Sequence, residues 1–143
     1  MKYLLLAILG IACSLLLLRV LKTSMANRPW IFPMLLAALP LFYFVFALWV
    51  NDKSAMKNEF LVTLLFFTII FVYLRYRSTW SEYLLAAGFI AHALYDSMHD
   101  LMFINAGTPE GWAVFCGVIN LFVGCFLVYQ VKNRRNIARL NSP

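Results

Sequence analysis

The sequence predicts an all-α integral membrane bundle of five transmembrane helices, with the N-terminus outside and the C-terminus inside. Apolar residues make up 64% of the 143 and charged residues only 13%, against roughly 45–50% and 25% in soluble domains. Five apolar runs each approach the ~20 residues that a bilayer requires. Basic residues are also distributed unevenly between the loops that would lie on opposite sides of the membrane.

The five runs form a single domain, residues 1–143, with predicted helices at 3–21, 31–50, 60–76, 81–104 and 112–131. The first run is interpreted as a retained helix rather than a signal peptide, because no A-x-A-like cleavage site ends it. The second contains Pro40 in mid-run, which predicts a kink. Residues 51–59 are predicted to form a mixed-charge loop. Residues 105–111 are rich in helix breakers and predict a tight turn.

The distribution of Lys and Arg predicts the orientation of the bundle. Nine of the twelve lie in the first loop, the third loop and the tail 132–143; the other three lie at the N-terminus and in the second loop. The positive-inside rule then makes 132–143 a basic cytoplasmic tail. The four tryptophans agree, because all lie at predicted helix ends: Trp30, Trp49, Trp80 and Trp112.

The net charge of +6 does not indicate nucleic-acid binding, because the basic residues lie between and after apolar runs. The expected partner is instead the lipid bilayer, most simply that of a bacterial inner membrane. A homo-oligomer is also expected for a carrier, since five short helices enclose little pathway alone.

The stretch HALYDSMHD, His92 to Asp100, places ionisable groups inside the fourth apolar run. On a helix, His92, Asp96 and His99 share one face, and Asp100 lies at its edge. Such groups are costly in lipid and usually mark a functional site. These residues are therefore the candidate site.

The fifth helix presents a face of small and polar residues to this site. Gly117, Asn120 and Gly124 follow the i, i+3, i+7 spacing of one helix face, which favours close approach of two backbones. Matching depths across the hairpin gives these expected neighbours: His99 with Gly117, Asp96 with Asn120, and His92 with Gly124, with Cys116 level with His99.

Three interpretations of the polar face stay open. A divalent metal ion could be bound by His92, Asp96 and His99, joined by Asp100 or Glu110. A proton or ion path could use the same groups. A structural hydrogen-bond network would satisfy His92, Asp96 and Asn120 without chemistry.

The corresponding functions are equally distinct. The first is a metal- or acid/base-dependent membrane enzyme acting on a lipid-like or small apolar substrate, with His92, Asp96 and His99 as catalytic residues. The second is a small proton- or ion-coupled carrier. The third is a non-catalytic assembly or interaction subunit.

The segments H-A-L-Y-D-S-M-H-D, P-E-G-W and F-C-G-V-I-N, followed by Gly124, cover the last third of the chain. Together they resemble a family of bacterial membrane proteins of about this length that has no assigned activity. In that family an H-x-x-x-D-x-x-H helix precedes a proline–tryptophan turn and a final helix. The resemblance implies a five-helix membrane fold and a shared polar site at His92, Asp96 and His99.

Overall fold

The computed structural model describes residues 1–24 and 30–140, apart from the side chains of residues 22–24 and 138. This part of the chain is all-α, as predicted, and contains five helices and no strand. The helices are α1 (Lys2–Ser24), α2 (Ile31–Trp49), α3 (Lys53–Tyr76), α4 (Thr79–Met102) and α5 (Trp112–Leu140). Most of the predicted first loop, with Arg28, and the end of the predicted tail, 141–143, lie outside the described residues.

Four helices are long and apolar enough to cross a membrane: α1, α2, α3 and α5. Many of their large apolar side chains point outward, among them Leu16, Leu65 and Phe71, each more than half exposed. Such surfaces suit a membrane protein, because lipid tails are the solvent that they require. The fourth helix has comparable length, but His92, Asp96 and His99 lower its hydropathy.

The predicted loop 51–59 is wrong, because α3 begins at Lys53 rather than at residue 60. Asp52 is the N-cap: its Oδ1 accepts hydrogen bonds from the backbone N–H groups of Ser54 at 3.1 Å and Ala55 at 3.0 Å. Charged residues occupy the first two turns, where apolar periodicity gives no signal. The correction places Glu59 on a helix.

The last helix also differs from the prediction, because α5 continues through most of the predicted tail to Leu140. Arg134 on this extension donates to Glu82 of α4 at 2.8 Å. The basic segment is therefore an extension of α5 that is tied to the start of α4.

The fourth helix lies at the centre of the bundle, where it packs against α2, α3 and α5, while α1 packs on the far side of α5. The apolar core lies between these helices and includes Leu36, Phe66, Phe89 and Val123, each at most 3% exposed. Because α4 has neighbours on three sides, its polar face is enclosed by protein.

The N-terminus, the α2–α3 turn and the α4–α5 loop lie at one end of the bundle. Lys2 forms an ion pair with Glu110 of the loop, and Tyr3 donates to the same carboxylate at 3.2 Å. These contacts lower the pKa of Glu110. The hydrogen bond from Lys2 has the larger effect and that from Tyr3 the smaller. Asn105 of the loop donates to the carbonyl of Tyr43, near the end of α2, at 3.0 Å.

Candidate functional site

The predicted polar face of α4 is buried in the bundle. His92 and His99 are 0% exposed and Asp96 is 2% exposed. The three share one face of α4, as their spacing predicts. They belong to two groups of contacts, however, because His92 and Asp96 share Asn120 of α5, whereas His99 contacts Glu59 of α3.

The first group of contacts, the Asp96 cluster, consists of Tyr43, His92, Asp96 and Asn120. Asp96 Oδ1 accepts from the Tyr43 hydroxyl at 2.8 Å, and Oδ2 accepts from Asn120 Nδ2 at 2.8 Å. His92 Nδ1 lies 3.3 Å from Asp96 Oδ2 and 3.1 Å from Asn120 Nδ2. The predicted pairing of Asp96 with Asn120 is therefore confirmed.

Asn120 connects the other two polar side chains of the cluster. Its Nδ2 lies 3.1 Å from His92 Nδ1 and donates to Asp96 Oδ2 at 2.8 Å. Within the described residues, His92 Nε2 and Asn120 Oδ1 are buried without a hydrogen-bond partner. Because an unpaired buried polar group is costly, the Asp96 cluster has unused hydrogen-bonding capacity.

The second group, the Glu59 cluster, consists of Glu59, Tyr95, His99, Asp100 and Asn105. Glu59 Oε1 lies 2.9 Å from His99 Nε2 and accepts from Asn105 Nδ2 at 2.9 Å. Its Oε2 accepts from the Tyr95 hydroxyl at 2.6 Å. His99 Nδ1 lies 3.0 Å from Asp100 Oδ1. Both oxygens of a fully buried carboxylate thus have donors.

Tyr43 joins the two clusters. Its hydroxyl binds Asp96, and its ring stacks on His99 with centroids 4.4 Å apart and planes at 27°. The side-chain amide of Asn105 donates to both the backbone carbonyl of Tyr43 and the Glu59 carboxylate. One aromatic side chain and one loop amide therefore fix the two clusters relative to each other.

Sequence reasoning missed Glu59, Tyr43, Tyr95 and Asn105. One signal was available for Glu59, because it stands with Thr63 and Phe66 at the i, i+4, i+7 spacing of a single helix face. All three are buried on α3. The other residues carried no comparable signal, since the two tyrosines lie within apolar runs, where they are ordinary packing residues, and asparagine is common in loops.

The ion-pair partners of both buried carboxylates, among the described residues, are histidines. A buried carboxylate without a compensating charge or proton costs several kcal/mol. Each buried carboxylate therefore has a histidine ring nitrogen beside it, His92 Nδ1 at 3.3 Å from Asp96 and His99 Nε2 at 2.9 Å from Glu59. This arrangement can exchange protons within the protein interior.

The predicted metal site, with His92, Asp96, His99 and Asp100 as ligands, is not supported. No group of three or more His, Cys, Asp or Glu residues is placed to hold a metal ion in the part of the chain that the structure describes. Both ring nitrogens of His99 already face carboxylate oxygens. Its side chain points toward α3, whereas Asp96 binds Asn120 of α5, so the set does not converge.

Two of the three predicted depth pairs across the hairpin are also wrong. A Cβ built on Gly117 would lie 3.3 Å from Asp96 Cβ rather than next to His99. A Cβ on Gly124 would lie 2.7 Å from Ile90 Cγ1 rather than next to His92. The glycines do permit close approach, as predicted, and Cys116 beside them is buried.

A groove of about 490 Å³ lies between α4 and α5 beside the Asp96 cluster. Its walls are mainly aliphatic, with Ile90, Leu94 and Val118 among them, and Gly117 also lines it. Its polar members are Asp96, Ser97 and Asp100. Asp96 is thus the residue that belongs both to the buried cluster and to the groove.

Comparison with known proteins gives no relative for this chain. No family model matches it, and neither the curated proteins nor the solved structures contain a significant match.

Proposed function

We propose that this protein is a membrane-embedded acid/base enzyme whose substrate is lipid-like or small and apolar. The observation that carries the proposal is the double position of Asp96, in the buried cluster and in the wall of the α4–α5 groove. Aliphatic walls suit a hydrocarbon chain, and the carboxylate lies where a polar part of such a ligand would be held.

The Asp96 cluster supports proton transfer to or from a bound molecule. Tyr43 and Asn120 each hold one carboxylate oxygen, which fixes the orientation of Asp96. His92 lies beside it and can keep or accept the proton that Asp96 exchanges. Acid/base catalysis of this kind contributes about 10²–10⁴-fold to a rate.

The proposal includes a topology in which all five helices cross the membrane and the N-terminus lies outside. The 24 residues of α4 extend about 36 Å at ~1.5 Å per residue, enough for a hydrocarbon layer of ~30 Å. Its polar side chains face protein rather than lipid, which is how membrane helices carry such groups. The resemblance to small bacterial membrane proteins fits an inner-membrane location.

Reporter fusions test this topology. A fusion at Thr108 in the α4–α5 loop should report the outside, and one at the end of the chain should report the inside, because nine basic residues favour the cytoplasm. The same compartment for both fusions would mean that α5, the helix between the two fusion sites, does not cross.

Replacing Asp96 with asparagine tests the chemistry. The variant keeps the shape and an acceptor for Tyr43 but cannot exchange a proton, so turnover should fall at least about a hundredfold. Wild type and D96N are reconstituted in vesicles of bacterial lipid, and the lipids are compared by mass spectrometry. E82Q, a change at the opposite end of α4, is the matched control and should behave as wild type.

The other two functions are outcomes of the same experiment. Unchanged lipids together with a proton flux that D96N abolishes would indicate a carrier and contradict the enzyme. Unchanged lipids without a flux would indicate an assembly or interaction subunit. Equal lipid conversion by wild type and D96N would show that Asp96 is not a catalytic residue.

A further inference from the structure

His99 lies between one exposed carboxylate and one buried carboxylate. The Asp100 side chain is 87% exposed, whereas those of His99 and Glu59 are 0% exposed. The two ring nitrogens of His99 are 3.0 Å from Asp100 Oδ1 and 2.9 Å from Glu59 Oε1. The imidazole therefore connects the protein surface with an interior acid.

The geometry also fixes which protonation states of His99 are compatible with its neighbours. Each ring nitrogen faces a carboxylate oxygen, so a proton on both nitrogens satisfies both contacts. A proton on one nitrogen leaves a lone pair opposite an oxygen, unless that carboxyl group is itself protonated. Loss of a proton on one side of the ring is thus coupled to protonation on the other.

Neutral side chains hold His99 and Glu59 in place. Tyr43 of α2 stacks on the His99 ring. Tyr95 of α4 and Asn105 of the loop donate to Glu59. These neutral groups fix the ring and the carboxylate, so that the transfer distances stay short.

We propose that Asp100, His99 and Glu59 form a proton path that leads from the water-exposed end of the bundle to its interior, with Glu59 as the proton acceptor. A proton on Asp100 moves to His99 Nδ1 while the proton on Nε2 moves to Glu59 Oε1. One O–H and one N–H bond break, and one N–H and one O–H bond form. The return runs in reverse.

This path deepens the proposed function and rests on it for its purpose, because Tyr43 links the path to Asp96. Proton uptake by Glu59 can be measured without a substrate. A result that contradicts the proton path can therefore be distinguished from a result that contradicts the proposed enzyme activity.

The experiment follows protonation of Glu59 after a rapid drop in pH, by infrared spectroscopy of the full-length protein in detergent. The chain has three glutamates, at positions 59, 82 and 110. Isotope labelling of glutamate in an E82Q/E110Q background assigns the carboxyl band to Glu59. The rate constant for the appearance of its protonated band is the quantity compared.

In that background D100N should slow the protonation of Glu59 at least about tenfold, because an amide accepts from Nδ1–H but supplies no proton. H99Q should slow it similarly, since glutamine can donate to Glu59 but cannot relay a proton. The control is the background itself, which lacks the exposed carboxylate of Glu110 but keeps Asp100 and His99. Equal rates in D100N and the background, or a Glu59 band that never titrates, would overturn the proposal.

Discussion

Replacing Glu59 with alanine should lower the free energy of unfolding by about 3–5 kcal/mol. The substitution removes the acceptor of three buried donors, His99 Nε2, the Tyr95 hydroxyl and Asn105 Nδ2. Removal of one partner of a buried pair costs more than the pair contributes, because the other partner stays desolvated. The loop that Asn105 anchors should loosen as well.

Thermal and denaturant unfolding in detergent measure this change. Glu110→Ala is the matched control, since Glu110 lies at the same end but is exposed, and surface substitutions usually stay within about 0.5 kcal/mol. Glu59→Gln keeps one oxygen acceptor and should fall between the two. A Glu59→Ala variant as stable as Glu110→Ala would show that the Glu59 cluster does not hold the bundle together.

The helices could be predicted because their apolar runs have the length of a bilayer and end at breakers or basic residues. The apolar signal fails where a helix leaves the apolar zone. The first turns of α3 and the last turns of α5 are polar, so both helices are longer than their hydropathy indicates. The thickness of the bilayer sets the length of the apolar run. The length of the helix is set instead by where its backbone hydrogen bonding ends.

The α4 half of the site could be predicted from spacing alone, because His92, Asp96 and His99 are local in sequence. Which residues of α2 and α3 they contact could not be predicted, because those contacts depend on how the two helices are rotated. The sequence predicts a loop at Glu59 because the polar first turns of α3 carry no apolar periodicity. The metal hypothesis is not supported for the same reason, because Glu59 lies against the histidine nitrogen that a shared metal would need.

The register of the α4–α5 hairpin shows the remaining limit. The prediction paired residues of α4 and α5 at equal depth in the membrane, which assumes two straight, antiparallel helices. It placed Asp96 next to Asn120 correctly. It erred for the glycines, which contact Asp96 and Ile90 instead. The error is about one helical turn, which side-chain packing decides and sequence spacing does not.

Replacing Gly124 with leucine should separate α4 from α5 and destabilise the protein by about 3 kcal/mol, the upper end of ordinary overpacking. A Cβ at this position would lie 3.1 Å from the carbonyl oxygen of Ala86 and 3.2 Å from the backbone nitrogen of Ile90. A backbone cannot rotate away as a side chain can, so the remaining leucine atoms must push the helices apart.

Gly117→Ala is the comparison for this prediction, because the closest atom to its Cβ is a side-chain atom, Asp96 Cβ, at 3.3 Å. It should lower stability by less than about 1 kcal/mol. Asn120 lies one turn from Gly124, so Gly124→Leu should also lengthen its 2.8 Å bond to Asp96. Unfolding in detergent measures the first effect, and the nitrogen NMR shifts of the His92 ring measure the second. Wild-type stability of Gly124→Leu with unchanged His92 shifts would mean that the two helices do not pack as closely as their glycines allow.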